Sequence, residues 1–99
     1  MKPRRAPAPE RALLTALAAM GGGVATVLSA TPWASVTFSG TQYRIRLDAG
    51  ADQARFGRFL ADAPEVEFDL PGTLVADLRV VEGATAVVAE LEVLALVDA

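Results

Sequence analysis

The feature that most constrains the fold is a strict alternation of apolar and polar residues near the middle of the chain. Every second residue from 43 to 48 is apolar, and arginine or aspartate fills the positions between. Strand side chains point alternately to opposite faces, so this pattern predicts a strand with one buried face and one solvated face. Residues 33–39 alternate as well, and Gly40-Thr41 between the two segments predicts a two-residue hairpin turn.

Other segments also have strand patterns and are bounded by turn-forming pairs of residues. We predict strands over 24–30, 65–70, 73–81 and 86–97, separated by turns or breaks at residues 31–32, 71–72 and 82–83. The last segment keeps one face apolar throughout. Its other face changes from Glu90 and Glu92 to Leu94 and Leu96, which indicates that the second face is not uniformly solvated.

Two segments have helical spacing instead. Residues 10–20 carry leucines on one face and end at three consecutive glycines, which favour the end of a helix. Residues 52–61 form a second amphipathic segment with Asp52 as its predicted N-cap and Pro64 just after its end. The sequence therefore predicts a two-layer α+β sandwich, with two helices on one face of an antiparallel sheet of four to six strands.

The domain organisation follows from the same pattern. Residues 1–9 contain three prolines and predict a flexible tail, while residues 10–99 predict a single domain. Residues 10–50 and 52–97 share the order of one helix and three strands, and a shift of 42 residues takes Glu10 to Asp52. An αβββ internal duplication is therefore a hypothesis that the pattern raises.

Missing residue types limit the chemistry that this chain can perform. It has no cysteine and no histidine, and Lys2 is its only lysine. These absences exclude a disulfide framework, a thiolate zinc site and a thiol nucleophile, and they remove the commonest general base. We expect a protein that is not an enzyme and that has no catalytic residues, cofactor or metal site.

The charge distribution bears on the class of partner. The net charge is −3, and nine carboxylates from Asp62 onward face a single arginine, Arg79. A nucleic-acid-binding domain normally presents a basic stripe, so we expect no nucleic-acid partner. We interpret the acidic half as a contribution to solubility.

Two minority hypotheses rest on local patterns. Glu65, Glu67 and Asp69 lie at strand spacing and share one face, which suits a carboxylate-based or divalent-cation-dependent enzyme. The favoured interpretation is a solvent-facing edge strand. Residues 12–30 are uncharged and follow a basic segment, which suits an exported or membrane-anchored envelope protein, periplasmic or membrane-associated through residues 1–30. An amphipathic helix followed by a strand explains that segment better, and we expect a cytoplasmic protein without a membrane partner.

The predicted sheet has a second face that no helix covers. Apolar and arginine side chains on that face are typical of interfaces, so we predict a protein-binding or self-associating module, with a homodimer as one form. The candidate interface residues are Trp33, Arg44, Arg46, Val75, Arg79, Val81, Val88, Leu94 and Leu96.

Two short motifs carry a resemblance to known sequences. Residues 33–40 read Trp-Ala-Ser-Val-Thr-Phe-Ser-Gly, and residues 70–78 read Leu-Pro-Gly-Thr-Leu-Val-Ala-Asp-Leu. With the strand between them they resemble short bacterial proteins without an assigned function, over residues 10–97. Tyr43 stands where such proteins are expected to have a basic residue or histidine. The resemblance implies no activity, and a composition rich in alanine and arginine fits a GC-rich bacterial genome.

Overall fold

A computed structural model describes residues 8–98, which form the two-layer α+β sandwich that the sequence predicts. Helices and strands follow in the order α1 (Ala8–Gly21), β1 (Val24–Ala34), β2 (Phe38–Asp48), α2 (Gln53–Asp62), β3 (Thr73–Val80) and β4 (Val88–Asp98). A 3-10 turn, Ala63–Glu65, continues α2. The predicted tail lies mostly outside the described residues, and α1 begins two residues earlier than expected. Within residues 8–98, no helix is long and apolar enough to cross a membrane.

All four strands form one antiparallel sheet in the order β1-β2-β4-β3. The two central strands pair along all eleven residues of each, from Phe38 opposite Asp98 to Asp48 opposite Val88, with Tyr43 opposite Val93 at the midpoint. Two hairpins, β1-β2 and β3-β4, therefore meet through their second strands. The outer strands β1 and β3 form the edges of the sheet.

One hydrophobic core lies between this sheet and the helices. Leu13 and Leu17 of α1 and Phe56 and Phe59 of α2 enter the same cluster as the inward residues of the central strands, so both helices cover one face. The predicted inward set is confirmed for Tyr43, Ile45, Leu47, Ala89, Leu91, Val93 and Ala95. Each large side chain buried in this way contributes about 1.5–3 kcal/mol.

Helix α2 is fixed at its start by two polar contacts. The backbone N–H of Arg55 donates to the Asp52 carboxylate at 3.0 Å, which confirms the predicted N-cap. The Arg55 guanidinium donates to the carbonyl oxygen of Ala19 in the last turn of α1, where helix carbonyls lack an intrahelical partner. One residue thus joins the two helices.

The predicted hairpin turn at Gly40-Thr41 is wrong, because side-chain hydroxyls close the hairpins elsewhere. The Ser35 hydroxyl accepts a hydrogen bond from Phe38 N–H at 3.1 Å, and the Thr85 hydroxyl accepts one from Val88 N–H at 3.1 Å. In each turn the same residue also donates its backbone N–H to the carbonyl three residues on. Ser and Thr form such local turns readily, so the chain reverses at Ser35 instead of at the glycine.

Gly40 lies inside β2 and has a packing role there. A Cβ at this position would lie 2.1 Å from the carbonyl oxygen of Ala95 on β4. A glycine within a strand commonly marks such a close backbone approach. Gly40 therefore permits the central pairing to continue to the end of the sheet.

Two predicted strand boundaries are also wrong. Pro32 does not break the first strand, because β1 is an edge strand, where a residue without an N–H is tolerated. Each half is therefore αββ and not αβββ.

Residues 66–69 form no strand, although Val66 and Phe68 still pack on the core. The 42-residue shift takes Val24, the start of β1, into this segment, so strand positions do not follow that alignment, and the duplication remains a hypothesis.

Both edge strands contain a bulge. The register shifts between Val27 and Ser29 and again between Val75 and Asp77, so Leu28 and Ala76 are extra residues. A bulge reverses the inward and outward sense of the residues beyond it. Val75 consequently lies on the helix side of the sheet and packs against the core.

Two glycine-to-alanine substitutions test this packing, with opposite expected signs. Gly40→Ala should lower the free energy of unfolding by about 1–3 kcal/mol, because the new methyl group forces β2 and β4 apart. Gly57→Ala, in α2 with no atom near the added Cβ, should raise it by about 0.5–1 kcal/mol through helix propensity. Urea titration followed by circular dichroism measures both. Equal tolerance of the two changes would contradict the close approach at Gly40.

Candidate functional site: the open sheet face

The sheet face opposite the helices, called here the open face, carries side chains from all four strands. Directly paired residues in an antiparallel sheet point to the same side, so the strand register assigns each residue to a face. The helices and the core lie on the other side, within residues 8–98. The open-face residues are Val24, Thr26, Ser29, Thr31 and Trp33 of β1, Phe38, Gly40, Gln42, Arg44, Arg46 and Asp48 of β2, Leu74, Asp77 and Arg79 of β3, and Val88, Glu90, Glu92, Leu94 and Leu96 of β4.

Most of the predicted interface residues come together on this face. They are Trp33, Arg44, Arg46, Arg79, Val88, Leu94 and Leu96. Val81 follows the end of β3, where its N–H donates to the carbonyl oxygen of Glu90 at 2.9 Å. The predicted position of Val75 on the open face is wrong, because the bulge at Ala76 turns it toward the helices.

The centre of the open face is a cross-strand ion-pair network. Glu92 of β4 accepts from Arg44 of β2 at 3.0 Å and from Arg79 of β3 at 2.7 Å, so one carboxylate joins three strands. The hydrogen bond from Arg79 is the main cause that lowers the pKa of Glu92, and Arg44 adds to it. Such exposed pairs stabilise weakly, and their contribution here is to fix the positions of the charged groups.

A second pair lies beside this network, toward one end of the sheet. Arg46 donates to the Asp48 carboxylate at 2.9 Å, and this contact raises the pKa of Arg46. Arg44 also lies 3.5 Å from Glu90. Positive and negative groups are therefore interspersed, with three arginines and four carboxylates among the open-face residues between positions 24 and 96. The face has no strong charge of one sign with which to attract a polyanion.

The other end of the open face is apolar. Its side chains are Trp33, Phe38, Leu74, Leu94 and Leu96, called here the apolar end. Leu96 is only 8% exposed although it does not belong to the helix-side core, so its neighbours on the open face cover it. Phe38 remains 39% exposed and Leu74 58% exposed. A groove of about 320 Å³ is lined in part by Phe38, Leu74 and Leu96.

Sequence reasoning missed Phe38 and Leu74 as members of this end. Alternation over 33–39 predicts Phe38 on the face opposite Trp33, and alternation over 73–81 predicts Leu74 on the face opposite Val75, so both were expected on the helix side. The first expectation failed because the turn was misplaced, and the second failed because the bulge at Ala76 was not detected. The glycine within β2 was the available signal for the first error, because glycine in a strand marks a close approach as often as a turn. No residue near Ala76 indicates the bulge that caused the second error.

The acidic residues considered for catalysis do not lie on a strand. Glu65, Glu67 and Asp69 are exposed, in a turn and in the irregular segment that follows it. Between residues 8 and 98, no three acidic side chains gather in a geometry that could hold a metal ion. The carboxylate hypothesis gains no support from the arrangement.

Comparisons with family models, with curated proteins and with solved structures give no significant match for this chain. The resemblance carried by residues 33–40 and 70–78 therefore stays a prediction. The class that the fold defines is a small α+β sandwich with one open sheet face.

The lowered pKa of Glu92 predicts an acid-dependent loss of stability. The pKa of a glutamate in an unfolded chain is about 4.3, so the ion pairs of Glu92 stabilise the folded chain fully above about pH 5. This contribution is lost as the pH falls through the lowered folded-state pKa. Glu92→Gln should therefore destabilise the protein at pH 7 but have less effect at pH 3. Thermal melts at both pH values measure the difference.

The control for this prediction is Glu67→Gln, which removes an exposed carboxylate without an arginine partner in the described part of the chain. Its effect on the melting temperature should be small at both pH values. A Glu92→Gln effect that is independent of pH would show that the ion pairs do not couple to this carboxyl group.

Proposed function

We propose that this protein is a non-catalytic association module in which two copies pack their open faces together. The observation that carries the proposal is the apolar end, where five large side chains share a sheet face without a second layer of described residues. Contiguous apolar patches of this kind usually mark interaction sites, because covering them removes apolar surface from water.

The size of the open face suits a stable interface. Three strands of eleven residues and one of eight, spaced about 4.8 Å apart and rising about 3.3 Å per residue, cover about 650 Å². Two such faces would bury about 1,300 Å² in total, within the range of about 1,200–2,000 Å² for specific complexes. The whole sheet, and not the apolar end alone, is needed to reach this area.

The charge pattern favours a second copy as the occupant. Consider two sheets that stack about a two-fold axis parallel to their strands. Residues at the same height along the strands then face each other across the interface, and the strand order of one sheet runs opposite to that of the other. Strand β2 of one copy then lies over β4 of the other, and the apolar ends meet. Arg44 and Arg46 face Glu92 and Glu90 of the second copy, so a single patch complements itself in charge and in hydrophobicity.

Face packing is favoured over strand addition at an edge. Edge strand β1 carries both a bulge at Leu28 and Pro32, and β3 carries a bulge at Ala76. Bulges and prolines hinder pairing with another strand. The edges are therefore poor templates, whereas the open face presents both large apolar side chains and paired charges.

Substitutions at the apolar end test the proposal. Leu74→Lys and Leu94→Lys each bring a charge into the apolar contact and should weaken dimerisation by at least about tenfold, since each forfeits more than about 1.4 kcal/mol. Sedimentation equilibrium over a range of micromolar concentrations measures the dissociation constant. Because Leu74 is exposed in the single chain, Leu74→Lys should leave the melting curve of the monomer unchanged.

The matched control is Val87→Lys, which adds the same charge at a 50% exposed residue outside the four strands. It should dimerise like the unmodified chain. A protein that stays monomeric at several hundred micromolar would refute self-association. If it did so while Leu74→Lys abolished binding to a different purified protein, the open face would serve a hetero-partner instead.

A further inference from the structure

A cleft of about 470 Å³ opens on the helix side of the sheet, beyond the start of α1. Pro9 of α1 and Pro32 of β1 form part of its walls, together with Tyr43, Thr73, Ala95 and Val97 from the other strands. The helices do not cover this end of the sheet, which explains why the cleft exists. Phe38, Leu74 and Leu96 line the groove on the open face and not this cleft, whereas Thr73 and Val97 line both.

The polar side chains that line the cleft within residues 8–98 carry hydroxyl groups. Ser39, Thr41, Tyr43 and Thr73 all line it, and none of their hydroxyls forms a hydrogen bond within the described residues. The Thr73 Oγ1 atom is buried, so water does not satisfy it. Buried polar groups in folded proteins nearly always have a partner, which makes an unpaired hydroxyl beside a cleft an indication of a missing one.

The described part of the cleft wall contains no charged side chain. It is mainly apolar, and among residues 8–98 no lysine, arginine, aspartate or glutamate lines it. An ion entering it would lose hydration without gaining a counter-charge. Ligand sites in proteins are commonly apolar concavities of about 300–1,000 Å³ with a few polar groups that fix orientation, and this cleft has both properties.

We propose that this cleft binds an uncharged, mainly apolar small molecule that carries one hydrogen-bonding group. The apolar body lies against Pro9, Pro32, Ala95 and Val97. The polar group hydrogen-bonds to the hydroxyl of Tyr43, or to that of Thr73 once its side chain rotates toward the cleft. This site lies mainly on the helix side of the sheet, opposite the proposed dimer contact, and the two share Trp33 and Gly40.

The first test uses N-phenyl-1-naphthylamine, an uncharged fluorescent probe with a single N–H donor, and the full chain. Trp33 is the only tryptophan of the chain and lies among the residues that line the cleft. Bound probe should quench Trp33 emission by energy transfer and gain fluorescence of its own, saturating at one probe per chain. Absence of saturable binding would overturn the proposal.

Variants locate the bound probe. Ala34→Phe projects a ring into the cleft from an exposed edge position and should weaken binding by at least tenfold, whereas Ala84→Phe in an exposed loop should not. Ser39→Leu, on the neighbouring strand, repeats the test if Ala34→Phe loses its far-ultraviolet circular dichroism signal. Leu74→Lys should bind the probe normally. If Leu74→Lys abolishes binding and Ala34→Phe does not, the probe occupies the open face and the proposal fails.

Competitors of matched shape test the ligand class. We expect 2-naphthol to displace the probe at a concentration about threefold to tenfold lower than 2-methylnaphthalene, because it gains a hydrogen bond. The anion 2-naphthalenesulfonate should compete least of the three. The advantage of 2-naphthol should disappear in Tyr43→Phe combined with Thr73→Val, and equal competition by the sulfonate would contradict an uncharged ligand.

Discussion

The pairing of β2 with β4 is the interaction on which the rest of the structure depends. It joins the two helix-hairpin halves, and each half alone would have only a two-stranded ribbon, which is marginally stable in water. The same pairing aligns Ile45 with Leu91 on the core side and Arg44 with Glu92 on the open side. A shift of one residue would exchange the two faces, so the core and the charge network require the same register.

Alternation over long segments made the fold predictable from sequence. Alternation is uninterrupted in β2 from Tyr43 onward and in β4, so the inward residues of these segments and the arginines of β2 were assigned correctly. Asp52 was recognisable as a cap because capping depends on one residue and its immediate neighbours. These are local rules, and the sequence obeys them where the chain is regular.

Errors arose where a tertiary contact outweighed a local signal. Glycine is typical of turns, but Gly40 lies within β2. A glycine is needed there because the carbonyl group of Ala95 on β4 approaches it closely. The bulge at Ala76 depends on pairing with β4, which lies later in the chain, and so has no signature nearby. Part of the apolar end of the candidate site was therefore beyond sequence reasoning, while its charged centre was not.

The irregular edges also bear on how large an assembly can grow. A molecule that associates through a strand edge exposes a fresh edge with every addition, so polymerisation has no natural stopping point. Pro32 and the two bulges disfavour that route. The proposed association through the open face with two-fold symmetry would cover the apolar surface of both subunits in one step, so growth would end at two subunits and fibres would not form.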